Sequence, residues 1–245
     1  LDSNPIVELP GYEEPRPVVW ASIFPESQDD FDLLRSALER LKLSDASYVF
    51  EEESSGTLGR GFRCGFVGML HLEIITERLR REFSIDLVVT LPTINYLVKT
   101  KEKPEKLVYS PTLFPDHGEV EWVREPWVNV TIIVPSEYVG VLMQLLFVHE
   151  AIVKETHTIN DRQSILVEMP LRELMRNFFD EVKSVSSGYA SLSYELGEFK
   201  EANVTKMEVL VADEVYPAFT RVISKDRIDE EAQKTVEKLY NVLPR

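Results

Sequence analysis

Apolar residues along the chain follow two alternating periods: short β-branched runs, and longer stripes at helical spacing. Val18 to Phe24, VVWASIF, is apolar and closed by Pro25, as a buried strand is. Glu26 to Asp30 supply cap-type residues and negative charge suited to a helix start. Phe31, Leu34, Leu38 and Leu41 then fall on one helical face. Ser44-Asp45 ends that helix and Tyr48-Val49-Phe50 opens a second strand. Ser54-Ser55-Gly56 turns the chain, and Thr57 to Phe66 returns as a third. A helix over Gly68 to Phe83 and a strand over 85–98 complete the order β-α-β-β-α-β, the split βαβ pattern of ferredoxin-like folds.

The pattern then recurs. Trp127 to Val134 reads as a strand closed by Pro135, and Ser136-Glu137 open a helix running to about Glu150. Strands at 152–159 and 163–169 are joined by a turn at Asn160-Asp161. A helix from Leu171 to Val185 and a strand from Ser191 to Phe199 close a second unit of the same kind. The expected class is therefore α+β: two ferredoxin-like modules in tandem, over 17–99 and 125–203. Residues 1–16 read as a linker from an upstream domain, and the charged, proline-bearing segment 100–124 as a connecting arm. After residue 203, VTKMEVLV is a strand and Asp226 to Leu243 a helix, the start of a further domain over 204–245.

Charge and chemistry narrow the classes of function. Hydrophobic content of 44% and 28% charged residues fit a globular protein with real cores. A formal charge of −15 argues against a dedicated nucleic-acid domain. The charge is uneven, however: residues 60–81 carry Arg60, Arg63, Arg78, Arg80 and Arg81 against only Glu73 and Glu77, so a local basic surface is compatible with an acidic body. The single cysteine excludes an intramolecular disulfide. The start, LDSNPIVELPGYEEP, has no initiator Met and no signal-like region, and reads as the interior of a longer protein.

The densest stretch is GFRCGFVGMLHLEI, residues 61–74. Gly59, Gly61, Gly65 and Gly68 have no Lys-Ser/Thr after them and miss the GxGxxG spacing, so a phosphate cradle lacks its defining residues. Cys64 and His71 are close, but His117, His149 and His157 are scattered, which leaves zinc without a ligand set. Leu72, Ile75, Leu79 and Phe83 make the main helical stripe, with Leu70 and Ile74 on a second side and His71 at its shoulder. Close packing with a second docking surface accounts best for this stretch. In the second module, Lys183-Ser-Val-Ser-Ser-Gly-Tyr189 is a glycine-ended helix exit. It reads as an ordinary C-cap at Gly188, or as an RNA contact through Lys183 and Tyr189.

These residues also carry a resemblance. GFVGMLHLEIITERLRREFSIDLVVTLPTINYLV (65–98) resembles domain III of ribosomal translocase-type GTPases. EPWVNVTIIVPSEYVGVLMQLL (125–146) and VEMPLRELMRNFFDEVKSVSSGYASLSYEL (167–196) resemble the two halves of domain V of that group. The direct junction between them, the DASYVFEEESSGTLGRGFRCGF run and the VTKMEVLVADEVYPAF tail are similar to the LepA (elongation factor 4) family. The resemblance implies a ribosome-binding piece of a translational GTPase, acting in back-translocation and fidelity or in subunit biogenesis. It implies no catalytic, cofactor or metal site here; GTP and Mg would be held by an absent G domain. Implied partners are ribosomal RNA and proteins, tRNA through the remainder of a C-terminal domain, and the parent's own G and second domains, with this piece a monomer. Arg60, Arg63, Lys183, Gly188 and Tyr189 are the implied ribosome contacts. Cys64, Leu70, His71 and Ile74 are the implied packing residues against a neighbouring domain. The implied location is the cytoplasm, with peripheral attachment to the inner membrane face or an organelle left open. Two alternatives stand beside this: a ferredoxin-like regulatory or scaffolding pair, and an elongation factor G relative lacking domain IV. An upstream GxxxxGK[ST] and NKxD would separate the first alternative from a GTPase.

Overall fold

The computed structural model describes residues 16–56, 58–116, 118–216 and 219–242. The expected linker therefore lies outside the described residues except for Arg16, as do Thr57, His117 and Leu243. The chain divides into two compact units at Val89/Thr90.

The first unit contains β1 (Val19–Pro25), α1 (Phe31–Ser44), β2 (Val49–Ser55), β3 (Gly59–Phe66), α2 (Met69–Phe83) and β4 (Leu87–Val89). Its antiparallel sheet has the order β2-β3-β1-β4. Alternation along the strands puts Val19, Ala21 and Ile23 of β1 opposite Phe66, Cys64 and Phe62 of β3. These meet the buried stripes Phe31, Leu34, Leu38 and Leu41 of α1 and Leu72, Ile75 and Leu79 of α2. The Phe31 and Phe62 rings stack at 5.1 Å, and the buried Tyr48 hydroxyl donates to the Leu38 carbonyl. α2 ends where Ser84 enters the left-handed region at φ 55°.

The single strand expected over 85–98 is three pieces, of which β5 (Thr93–Ile94) is only two residues long. β4 stays on β1, whereas β6 (Tyr96–Thr100) joins the second sheet, pairing Leu97 with Arg124. Pro92 stands between them, and a proline gives a ladder no N–H. Tyr96–Thr100, counted above with the first module, thus lies in the second unit. The segment 100–124 is also more than a connecting arm. β7 (Lys106–Val108) pairs with β6, and β8 starts at Val120 and runs unbroken to Pro135. Val98, Val108, Phe114 and Val123 are buried there, with Tyr96 and Phe114 edge to face at 5.7 Å.

The rest of the second unit is α3 (Val139–Val148), β9 (Ile152–Ile159), β10 (Arg162–Pro170), the one-turn α4 (Leu171–Glu173), α5 (Phe179–Val185) and β11 (Ser191–Glu201). Its strands run β9-β10-β8-β11, the same ferredoxin-like arrangement as β2-β3-β1-β4. Asn160, at φ 57°, makes the tight turn between β9 and β10. The helix expected over 171–185 is broken: Arg176 (φ −85°, ψ 65°) and Asn177 (φ 59°) leave helical geometry between α4 and α5. Asparagine accepts that left-handed backbone at little cost. Beyond β11, β12 (Val204–Met207) pairs with β15 (Arg221–Ser224), and β13 (Leu210–Val211) with β14 (Glu214–Val215). α6 (Ile228–Val242) closes the described chain.

Candidate functional site

In the first unit the glycines of β3 make room for rings on the sheet face away from the helices. A Cβ at Gly65 would meet the Trp20 indole at 2.9 Å, and one at Gly61 would meet Phe24 Cδ1 at 2.4 Å and the Ile23 carbonyl at 2.6 Å. Gly59, at φ +76°, turns the chain into β3. There the Gln28 amide receives the Arg60 N–H on Oε1 at 2.8 Å and donates to the Leu58 carbonyl at 3.0 Å. Arg60 lies exposed beside that turn, its guanidinium 3.9 Å from the Phe31 ring centre and 3.4 Å from Glu52. Arg63 is not at the surface: it is 7% exposed and donates to Ser22 Oγ at 3.1 Å across the β1–β3 pair. That corrects the expectation of a polar contact through Arg63.

Cys64 is fully buried on the helix side of the sheet, and burial pushes its thiol far up. A side chain sealed in its own module's core cannot pack on a neighbouring domain, so Cys64 leaves that set. His71 is mostly buried; its Nε2 stands 3.0 Å from Asp45 Oδ2 and its ring meets Phe66 edge on. Asp45, hydrogen-bonded by the Ser47 hydroxyl, has its carboxyl held below the usual range. Leu70 and Ile74 are 65% and 47% exposed, a second apolar side on α2 distinct from its buried stripe. Periodicity predicted that division of α2.

In the second unit the α5 exit is a Schellman turn. Gly188 N–H reaches the Lys183 carbonyl at 2.7 Å and Ser187 N–H the Ser184 carbonyl at 3.2 Å, with Ser187 at φ 51° and Gly188 at φ 81°. Ser186 Oγ locks the turn by donating to the Val182 carbonyl and receiving the Ala190 N–H. Lys183 is exposed on this turn, and a Cβ at Gly188 would meet nothing within 4 Å. Tyr189 is 60% exposed and stacks on Tyr138 at 6.2 Å and 22°. The structure therefore brings Lys183, Gly188 and Tyr189 together and adds Tyr138, which the sequence reading passed over.

A buried ionic cluster in the second unit was also missed. Glu173, 1% exposed, receives Arg172, Arg176 (3.0 Å) and Arg227 (2.7 Å), with His149 Nδ1 at 3.3 Å. Arg172 also pairs with Glu150 and, at 2.9 Å, with the buried Glu125. Burial pushes the Glu173 carboxyl up, but His149 and the three guanidiniums outweigh it and hold it at about 2. Burial wins at Glu125, carrying it up to about 7 against the pull of Arg172. The signal was available: His149 continues the Leu142, Leu146 stripe, and Glu173 sits among Leu171, Leu174 and Phe178. Charged groups at apolar-phase positions imply buried partners.

Comparison with known proteins gives two adjacent matches. Residues 14–91 match the family described as Elongation Factor G, domain III, and residues 122–210 that described as Elongation factor G C-terminus. Elongation factor 4 of Chlamydia trachomatis serovar L2 is 41% identical over 237 residues, covering 96% of this chain and 39% of that protein. Elongation factor 4 of Chlamydia caviae is 39% identical over 239 residues, 97% of this chain and 40% of that protein. A crystal structure from Thermus thermophilus aligns with a TM-score of 0.47 at 15% identity, over 82% of this chain and 43% of that one.

Proposed function

The chain belongs to the elongation factor 4 family, spanning about 39% of the length of the curated relatives it matches, and from that premise we propose that it is a ribosome-contacting part of a translational GTPase. The observation that carries this is the stack of exposed Tyr189 on half-buried Tyr138 at the hydrogen-bonded α5 exit beside Lys183. RNA is held by aromatic faces that accept unstacked bases and by cations near phosphates. Open space at Gly188 lets a backbone approach the turn closely. Arg60 is the matching contact of the first module, exposed and braced on Phe31 so that its guanidinium is presented rather than loose. Leu70 and Ile74 support the reading that α2 packs on another domain of the parent.

GTP and Mg would be bound by domains outside this chain, and tRNA by the part of the parent that continues from α6. On this reading the work is done in the cytoplasm. No helix among the described residues is long and apolar enough to cross a membrane. The test is co-sedimentation of the full-length parent with ribosomes. Lys183→Ala combined with Tyr189→Ala should weaken binding roughly tenfold or more, since one base–aromatic stack and one phosphate contact are removed. Equal co-sedimentation of variant and parent would overturn the assignment of this surface.

A further inference from the structure

No residue of α6 is buried, and an isolated helix of about fifteen residues is marginal in water. Its ion pairs to the second module sit at its start, while Ile228, Ala232, Thr235 and Leu239 are half-buried along one face. Arg227, in the single turn leading into α6, donates to Glu173 Oε1 at 2.7 Å and to the Val148 carbonyl at 3.3 Å. One turn on, Glu231 faces Arg176 at 3.7 Å. Arg221 also reaches Thr235 of α6, but Arg221 belongs to β15, within the same C-terminal segment.

We propose that Glu173 and Arg227 form a releasable latch that fixes α6 on the second ferredoxin-like module. Release does not strand an unpaired buried carboxylate, because Glu173 keeps Arg172, Arg176 and His149 when Arg227 leaves. The Arg227 side chain, 19% exposed when latched, returns to water with all its donors solvated.

The β12–β15 ribbon is held by other means, so the latch governs α6 alone. Val204, Met207 and Ser224 are buried, Ala202 N–H reaches the Val123 carbonyl at 2.9 Å, and Lys206 pairs with Asp116 at 2.8 Å. The direction of α6 is thereby set by Glu173, which is tied through Arg172 to Glu125 on β8. A helix tied at one end by ion pairs, and elsewhere by side chains that are at most half-buried, can open between a docked and a free state.

The test is amide hydrogen exchange on this chain, comparing wild type, Arg227→Gln and Arg227→Lys. In Arg227→Gln the α6 amides should exchange roughly tenfold faster or more, the size of one lost charge-assisted hydrogen bond. The strands β8, β10, β12 and β15 should keep their protection. Arg227→Lys should fall between, since it restores charge but not the two-pronged geometry. The proposal is overturned if α6 exchanges alike in wild type and Arg227→Gln, or is already unprotected in the wild type. It is equally overturned if β8 and β15 lose protection together with α6, for Arg227 would then support the whole unit.

Discussion

Gly61→Ala is expected to destabilise the first module by about 2–3 kcal/mol, the range for forcing extra atoms into a packed site. The added Cβ would stand 2.6 Å from the Ile23 carbonyl oxygen and 2.4 Å from the Phe24 ring. The ring could swing, but the carbonyl belongs to β1, whose register against β3 fixes it. Relief requires the β1–β3 pair to part or Phe24, 2% exposed, to leave its position. Alanine narrows the unfolded chain's freedom and so returns about 0.4–1 kcal/mol, too little to change the sign. Gly56→Ala, in the same hairpin, is the control: its Cβ would meet nothing within 4 Å, and stability should stay within about 0.5 kcal/mol of wild type. Amide exchange of β1 and β3 reads both variants without assuming that the two units unfold together. A Gly61→Ala chain with wild-type protection there would show that the strands are not packed as described.

That result bears on what the residues GFRCGFVGMLHLEI say on their own. Periodicity was enough to divide α2 into the buried Leu72, Ile75 and Leu79 and the exposed Leu70 and Ile74, because burial on a helix follows angle alone. It was not enough to place Arg63. Strand alternation sets Arg63 on the face opposite Cys64, but a sequence does not show whether that face is wet. The other shortfall was topological. IDLVVTLPTINYLV has one continuous pattern, and only pairing partners reveal that Leu87–Val89 and Tyr96–Thr100 serve different sheets. The three-residue strand β7 carries too little periodicity to stand out from its charged neighbours. The Tyr138–Tyr189 stack escaped for a similar reason: the two residues are distant in sequence, and only the fold sets the start of α3 beside the exit of α5.

Glu173→Gln is expected to cost the second module about 3 kcal/mol at pH 7, since removing the buried carboxylate leaves three partly buried guanidiniums undercompensated. The pH profile gives the sharper test. Glu173 is depressed to about 2 from an ordinary 4.5, so its stabilisation is complete above pH 4.5 and drains away as pH falls toward 2. The cost of Glu173→Gln should shrink over that window, by an amount on the order of 3 kcal/mol. Glu125 has the opposite sign. Raised to about 7, it binds its proton more tightly folded than unfolded, so wild-type stability falls as pH climbs from 4.5 to 7. Glu125→Gln removes that titration and should gain on wild type across the same interval, again by about 3 kcal/mol at most. The two carboxyls share Arg172 and still lie on opposite sides of the ordinary value: Glu173 has two further guanidinium partners, Arg176 and Arg227, and the His149 ring beside it, whereas Glu125 has none but Arg172 among the ion pairs of the cluster. Urea unfolding followed by Trp122 and Trp127 fluorescence, in a Trp20→Phe background, separates this unit from the first. If wild type and Glu125→Gln run parallel from pH 4.5 to 7, Glu125 is ionised throughout and the Arg172 pair outweighs its burial.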